Sequence, residues 1–443
     1  MALVKCTNQM RGRCQCILDI QTIKDEIKMN KRRVAITGFG IVSSLGNDSV
    51  EVLDSLKNNR SGIEVVEEWK QLNMKSYIAG TIKNFENNTV KREIGVKSRY
   101  MDLNSIYAMM AAEQAVKMSG LGEDALKSEE TSCIAGSGLL STDPLIRTAL
   151  KINNYKAAIT PFDINRSMSS SISANLSNFY GIKGRSYSIS SACATSLHNV
   201  GHSYELVASG LSKTVISGGA DEISVAMAAL FNGMRSALVT ITDDSKVSEA
   251  SKPYDVNRNG FVLSGGGGIV IIEDLENAVE RGATIYGEII GYGATTDGHD
   301  IIQPHPDGEG AYRCMKVALE DAQIDAGDID YINAHGTSTK LGDIAEAKAI
   351  KQLVGDHNTF VSSTKALSGH GLGAAGVHEL IYCLLMLNND FVSASAHISE
   401  LDEDFSSINI VRETIEKELN IVMTNNFGFG GTNASMLIKK FKN

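Results

Sequence analysis

The stretch Ser186–Gly210 reads SYSISSACATSLHNVGHSYELVASG and contains the change of pattern on which the predicted fold depends. Residues 186–192 form a β-rich segment, and a helical pattern begins immediately around Cys193. The same alternation recurs along the chain. Strands are predicted at residues 32–42, 131–138, 213–221, 268–275, 284–295, 331–337, 359–367 and 422–431, and helices at Leu103–Ser119, Ala194–Ser209, Gly310–Ala322, Asp343–Val354 and Gly376–Asn388. Strands that alternate with helices predict layers of the α/β class.

The first 30 residues differ from the rest of the chain, and we predict that they form a flexible N-terminal extension. Isoleucines at near-helical spacing would also permit a short amphipathic helix there. Beyond the extension, the run GGGGIVIIEDLENAVERGA ends one strand-rich half, and a second series of strands follows from about residue 284. No low-complexity linker and no obvious sequence repeat separates them, so we predict two parts that share one core.

The composition indicates a globular protein of the cytoplasm. Of the 443 residues, 43% are apolar and 21% are charged, which excludes a disordered chain and a disulfide scaffold. The net charge of −10 disfavours nucleic acid and anionic membranes as partners. No apolar run approaches the roughly 18 residues that a membrane span needs, and the N-terminus does not resemble a signal peptide. The seven cysteines are scattered and odd in number, which fits a reducing compartment, and we predict no metal site.

Cys193 is the candidate nucleophile. Its place at the start of a helix would lower the pKa of the thiol, because the positive end of the helix dipole favours the thiolate. The unpaired backbone N–H groups of the same turn could stabilise an oxyanion. The alternative is a small buried core cysteine, which is common in proteins.

Two histidines lie in glycine-rich segments that follow predicted strands. His335 lies in NAHGTST, and His370 lies in STKALSGHGLGAAG. A nucleophilic cysteine usually needs a histidine partner from elsewhere in the sequence. Residues 371–376 also match G-x-G-x-x-G, but the turn does not follow the strand directly, so a dinucleotide site is disfavoured. The Gly265–Gly268 run lacks the Lys-Ser/Thr of a phosphate loop, and its expected role is close packing before a strand.

These motifs, in this order, resemble the β-ketoacyl-acyl-carrier-protein synthases, condensing enzymes of the thiolase superfamily. The resemblance rests on SSACATS around Cys193, on the two histidine segments and on NNFGFGGTN near the C-terminus. It covers about residues 31–443. The segments SKPYDVNRNGFVLSGGGG and GYGATTDGHDIIQPHPDGEGAYRCM resemble synthase I more than synthase II.

The resemblance implies a thiolase-like fold of two similar halves in a five-layered α-β-α-β-α sandwich, assembled as a homodimer. The first half, residues 31–280, would carry Cys193, and the second, residues 281–443, would carry both histidines. Cys193 would hold the acyl chain as a thioester. His335 and His370 would promote decarboxylation of malonyl-carrier protein and stabilise the enolate, and the N–H groups of Cys193 and Phe429 would bind the tetrahedral oxyanion.

Other residues gain roles from the same resemblance. Lys365 would be the active-site lysine, and Glu346 the glutamate that pairs with it. Thr337 and Thr339 would bind the phosphopantetheine arm, and Phe429 would be the gate between acyl pocket and active site. Asn426 replaces a serine that is frequent in the family, which we expect to affect only local loop contacts. Residues 141–165 fit the family loosely.

The implied partner is an acyl carrier protein, which is acidic and brings the substrates on its own phosphopantetheine arm, so no cofactor is expected. Because the partner is acidic, docking requires a basic rim on this acidic chain. Lys97, Arg99 and Lys156 are the candidates for that rim, and ordinary solubilising charges are the alternative.

Four other functions compete with fatty-acid elongation. A condensing enzyme of polyketide or aryl-polyene assembly would use the same chemistry on another carrier. A degradative thiolase would need a second cysteine near the C-terminus, whereas the last one is Cys383. A non-catalytic partner subunit would lack the nucleophile, which is present. A nucleotide-binding module rests only on the glycine pattern after His370.

Overall fold

The computed structural model describes residues 31–153, 159–234 and 237–442, so the predicted extension, residues 1–30, lies outside the described residues. Ten strands form the framework. The first five are β1 (Val34–Ser43), β2 (Thr131–Gly136), β3 (Ser186–Tyr187), β4 (Thr214–Asp221) and β5 (Gly266–Asp274). The second five are β6 (Gly287–Thr296), β7 (Tyr331–Asn333), β8 (Phe360–Ser362), β9 (Ile421–Gly428) and β10 (Thr432–Lys439).

The two sets of strands have the same topology. Hydrogen bonding follows the order β3-β2-β4-β5-β1 in the first set and β8-β7-β9-β10-β6 in the second. In the first set β2 is parallel to β3 and β4, whereas β5 is antiparallel to β4 and β1. The corresponding strands of the second set have the same directions. Strands β1 and β6 join the sets by a short antiparallel pairing. The prediction of two similar halves is therefore confirmed.

Six helices complete the layers. They are α1 (Leu103–Ser119), α2 (Ser171–Tyr180), α3 (Thr195–Ala208), α4 (Glu309–Ala322), α5 (Lys340–Val354) and α6 (Ala375–Asn389). Helices α3 and α6 pack against each other between the two sets of strands, α1 and α2 cover the outer face of the first, and α4 and α5 cover that of the second. The order helix, sheet, helix, sheet, helix confirms the predicted five-layered α/β sandwich.

Strand β5 is buried along its whole length because both faces of its sheet are covered. In β5, Ile269 and Ile271 belong to the apolar core beneath α1. Val270 and Ile272, on the opposite face, belong to the central core around α3 and α6. Continuous apolar runs are typical of strands buried on both sides, and this burial explains why the strand predictions in this part of the chain were correct.

A repeat that the sequence pattern did not reveal lies in the first strand of each half. Each of these strands carries a G-x-G pair that faces the backbone of a covering helix, α1 or α4. An added Cβ would lie 2.3 Å from a helix carbonyl oxygen at Gly38, 2.1 Å at Gly40, 2.3 Å at Gly291 and 2.1 Å at Gly293. Glycine at these positions lets the helices lie directly on the strands.

The largest departures from the strand predictions are two strands predicted too long and one strand that was missed. The strand predicted at 186–192 covers only Ser186–Tyr187, because the chain leaves the sheet to reach the turn of Cys193. The strand predicted at 359–367 ends at Ser362, and Lys365–Ser368 is helical. Strand β10 was missed, since its first half is polar although Asn433 and Ser435 are buried there.

The remaining elements are short. Among the described residues they include strands Ile63–Val65, Ile78–Gly80, Leu263–Ser264, Phe391–Val392, Asn409–Ile410 and Ile415–Glu416, and helices Ser49–Lys57, Glu67–Gln71, Asn87–Ile94, Glu123–Leu126, Asp143–Ile152, Asp163–Arg166, Val225–Asn232 and Leu275–Glu280. Within the same residues, no helix has both the length and the apolar character to cross a membrane.

We predict that Gly40→Ala and Gly293→Ala each lower the free energy of unfolding by about 2 kcal/mol or more, because the new methyl group must push a helix away from its strand. Gly122→Ala is the control, since no atom of the described chain lies within 4 Å of its added Cβ. Urea unfolding with an unchanged m-value measures the difference. Equal midpoints for the three variants would contradict the close helix–strand packing.

Candidate active site

Cys193 lies at the N-terminal end of α3, in the short 3₁₀ turn Ala192–Ala194. Ala192 has a φ of +48°, a left-handed conformation that is uncommon for a residue with a Cβ. The backbone N–H groups of Cys193 and Phe429 both interact with Sγ. The two N–H groups that the resemblance implies for an oxyanion hole therefore lie beside the thiol.

His370 and His335 lie next to this thiol. Nε2 of His370 is 3.0 Å from Sγ of Cys193. The His335 and His370 rings have centroids 5.3 Å apart and are nearly perpendicular, at 86°. Phe261 packs edge-on against His370, and Phe427 packs against His335. The fold thus brings together three residues that are separated by as many as 177 positions in the sequence.

Burial determines the protonation of these three groups. It raises the pKa of the Cys193 thiol to about 11, against the opposing effects of the Lys365 charge and the two N–H groups. The expected lowering of this pKa by the helix is therefore not observed, because the loss of hydration is the larger effect. Burial, reinforced by the positive charge of Lys365, holds the pKa of His335 and of His370 well below the usual range.

Glu346 does not pair with Lys365, so that prediction is wrong. Its two carboxylate oxygens accept the backbone N–H groups of His335 and Gly336, each at 2.8 Å. Burial raises the pKa of Glu346 to about 7, although these N–H groups favour the charged form. Glu346 therefore fixes the backbone turn that presents His335.

The partner of Lys365 is Glu379, on α6. Both side chains are almost completely buried, with 1% of each residue exposed. The family resemblance made Glu346 the expected partner, but the backbone N–H groups of His335 and Gly336 already engage its carboxylate. Glu346 lines the cavity that opens onto Cys193, whereas Lys365 does not.

Asn426 has more than the local loop contacts that we expected. It lies within β9, is fully buried, and donates from Nδ2 to the second carboxylate oxygen of Glu379 at 2.8 Å. The residue that was expected to differ from the family pattern therefore contacts the buried pair of Glu379 and Lys365.

A cavity of about 650 Å³ opens onto Cys193 and both histidines. Thr337 and Thr339 line it, and their hydroxyl oxygens are 3.0 Å apart. Phe429 also lines it, in the tight turn between β9 and β10, with Gly428 on one side and Gly430 on the other. The predicted arm-binding and gating residues are thus placed together with the catalytic candidates.

Lys97 and Arg99, two of the predicted docking residues, do not line this cavity. Lys97 donates to the backbone carbonyls of Asn178 and Phe179, and Arg99 stacks on Tyr100 and Phe162. Lys156 lies outside the described residues. Lys340, which sequence reasoning did not single out, is an exposed basic residue that does line the cavity.

Sequence reasoning also missed Asp221, at the end of β4. Its buried carboxylate accepts a bond from the Ser137 hydroxyl and from the N–H groups of Gly138, Leu139 and Gly373, at 3.1, 3.3 and 2.6 Å respectively. The only signal in the sequence is an aspartate that ends an apolar strand. It joins a loop of the first half to the turn after His370.

The glycine pattern at residues 371–376 belongs to the entry of α6 rather than to a nucleotide site. All six residues are buried. Gly373 packs against Asp221 and Gly138, and Gly376 packs against Leu197. No surface for a dinucleotide is left at this turn.

Comparison with known proteins agrees with this geometry. Residues 31–278 match the N-terminal domain of beta-ketoacyl synthases, and residues 286–399 match the C-terminal domain. The chain is 46% identical over 413 residues to 3-oxoacyl-[acyl-carrier-protein] synthase 1 of Haemophilus influenzae, covering 93% of this chain and 99% of that protein. It is 44% identical over 416 residues to the protein of the same name from Escherichia coli K12, covering 93% and 100%.

A solved structure shows the same architecture. The crystal structure of a beta-ketoacyl synthase from Burkholderia phymatum matches with a TM-score of 0.86 at 31% identity, covering 93% of this chain and 100% of that one. The family resemblance stated from the motifs, including the likeness to synthase I, is therefore confirmed. The chain belongs to the β-ketoacyl synthase family of thiolase-like condensing enzymes.

Proposed function

We propose that the chain is a 3-oxoacyl-[acyl-carrier-protein] synthase of type II fatty-acid elongation. It would condense malonyl-carrier protein with an acyl group held on Cys193 and lengthen the chain by two carbons. The observation that carries this proposal is the 3.0 Å contact between Cys193 Sγ and His370 Nε2 in a cavity that also contains His335. The curated relatives, which bear that name, support the choice of carrier and pathway.

In the first step, Sγ of Cys193 attacks the carbonyl carbon of the acyl thioester. Because the thiol has a pKa of about 11, His370 takes its proton as the bond forms, rather than waiting for a preformed thiolate. The tetrahedral oxyanion is bound by the N–H groups of Cys193 and Phe429. The proton then passes to the sulfur of the carrier arm, which leaves as a thiol.

In the second step, malonyl-carrier protein loses CO₂ and becomes an enolate. Neutral imidazoles that carry their proton on Nε2 donate to the enolate oxygen from His335 and His370. Among the described residues, Nδ1 of neither ring has a hydrogen-bond partner, so nothing there fixes the tautomer. His370 can therefore serve as an acceptor in the first step and as a donor in the second.

In the third step, the enolate carbon attacks the acyl thioester on Cys193. The new carbon–carbon bond forms, the carbon–sulfur bond breaks, and the Cys193 thiolate takes up one proton. Loss of CO₂ makes the sequence effectively irreversible. Thr337 and Thr339, which line the approach, would bind the phosphopantetheine arm, and Phe429 would move to admit the acyl chain.

We extend the proposal to partners and location. The protein would act as a homodimer in the cytoplasm, with an acidic acyl carrier protein as its partner and no cofactor of its own. Lys97 and Arg99 stay candidates for the docking surface, and Lys340 is a further one because it lies at the cavity. A polyketide or aryl-polyene carrier is the alternative partner.

Mixing the enzyme with octanoyl-carrier protein and measuring its intact mass tests the function. We predict an octanoyl adduct on Cys193, which malonyl-carrier protein releases as 3-oxodecanoyl-carrier protein. Cys193→Ala, the control, should form no adduct. An enzyme that is folded but never acylated would contradict the proposal, and acylation only from a polyketide-type carrier would favour the alternative pathway.

The raised pKa of Cys193 makes a second prediction. Alkylation of Cys193 by iodoacetamide should accelerate about tenfold for each pH unit between pH 7 and 10, because only the thiolate reacts and its fraction grows tenfold per unit below the pKa. Peptide-resolved mass spectrometry separates this cysteine from the other six. A rate that is flat from pH 6 to 9 would instead indicate a standing thiolate–imidazolium pair.

A further inference from the structure

We propose that Asn426 is a positioning residue for the reaction at Cys193: its amide fixes the Glu379 carboxylate and thereby holds the Lys365 charge behind the active site. This inference rests on the proposed condensing reaction. It deepens that proposal by assigning a role to the residue at which this chain departs from the family pattern.

Asn426 is hydrogen-bonded to the buried pair of Lys365 and Glu379. Asn426 is 0% exposed, and Glu379 and Lys365 are each 1% exposed. Lys365 Nζ contacts one oxygen of Glu379, and Asn426 Nδ2 donates to the other at 2.8 Å. A carboxylate can only accept hydrogen bonds, so the amide must present its NH₂ group to Glu379. The amide adds a donor without adding a charge, and the buried pair stays balanced at one positive and one negative group.

Asn426 lies on β9, the strand that leads into the turn of Phe429. The next residue on β9 is Phe427, whose ring packs against His335 at 6.0 Å between centroids. The turn after β9 carries Phe429, whose N–H reaches Sγ of Cys193. Glu379 lies on α6, the helix that begins just after His370. One hydrogen bond therefore ties the strand of the oxyanion donor to the helix of the general base.

The amide oxygen of Asn426 lies close to the backbone of α6. A Cβ added at Gly376 would lie 2.9 Å from Asn426 Oδ1. The amide oxygen therefore lies against the glycine of α6, and the Asn426 side chain lies between β9 and this helix. A longer or displaced side chain at 426 would separate β9 from α6.

The pair that Asn426 contacts also acts electrostatically on the active site. The positive charge of Lys365 lowers the pKa of Cys193 and of both histidines. The titratable groups whose pKa values respond to the charge of Lys365 or of Glu379 are Cys193, His335, His370, Glu346, Tyr254, Tyr331, Tyr382 and Cys383. Displacing Lys365 would therefore change the acidity of all three reacting groups together.

The test uses Asn426→Asp, because a protonated aspartic acid can donate to Glu379 as the amide does, whereas an ionised one cannot. Two facing carboxylates repel, so the shared proton is lost only at higher pH. We expect acyl transfer from octanoyl-carrier protein to be near wild-type at low pH. It should fall at least about tenfold below wild-type as the pH rises to 9.5.

Asn425→Asp is the matched control. Asn425 is the neighbouring residue on the same strand and is also 0% exposed, but it faces the outer layer, where Nδ2 contacts Met315 Sδ. The substitution buries the same carboxylate on the opposite face of the sheet. Its activity relative to wild-type should not depend on pH. A pH-independent ratio for Asn426→Asp as well would overturn the proposal.

Two further measurements keep the outcome interpretable. Iodoacetamide labelling of Cys193 needs no carrier protein, and it should slow in Asn426→Asp relative to wild-type as the pH rises. If that effect is found while wild-type is never acylated, the positioning role stands and the proposed function fails. Should the aspartate variant not fold, Asn426→Ala removes the donor without adding charge. It should lose about tenfold in acyl transfer at every pH, and a loss below twofold would overturn the proposal.

Discussion

The contact between the N-terminal ends of α3 and α6 is the constraint on which the rest of the structure depends. A Cβ added at Gly376 of α6 would lie 2.7 Å from Cβ of Leu197 on α3 and 2.8 Å from its backbone nitrogen. Only glycine permits this approach. Because Cys193 precedes α3 and His370 precedes α6, the distance between these helix ends sets the distance between thiol and imidazole. The packing of the central helices therefore also determines the geometry of the reacting groups.

Burial at the contact between α3 and α6 explains why the reacting groups of the site are uncharged. The thiol and both imidazoles are held in their uncharged forms, and the buried pair of Lys365 and Glu379 supplies one positive and one negative charge nearby. A nucleophile with a raised pKa is slow in isolation, but a base 3.0 Å away can remove its proton during the attack. Such a site suits a reaction in which negative charge appears only transiently, on an oxyanion and then on an enolate, beside donors that are already in place.

The sequence was sufficient for the layers and for the principal residues of the site. Alternating strands and helices predicted the α/β class, and the glycine-rich segments around His335 and His370 identified two turns at strand ends. The sequence did not show which of two buried glutamates pairs with Lys365. Glu346 lies eleven residues after His335 and Glu379 fourteen after Lys365, and only the fold shows that backbone N–H groups engage the first and the lysine engages the second.

The same limit applies to contacts that cross between the halves, because they join positions far apart in the chain. Asp221 of the first half accepts the N–H of Gly373 in the second, across 152 positions. His198, in the first turn of α3, bonds to the Ser191 hydroxyl through one ring nitrogen and to the carbonyl of Asn433 through the other. Each half alone would lack these bonds between the halves, whose net contribution to stability is about 0.5–1.5 kcal/mol apiece. The polar bonds that shape the active site therefore also bind the two halves together, so that the site can form only when both halves are folded.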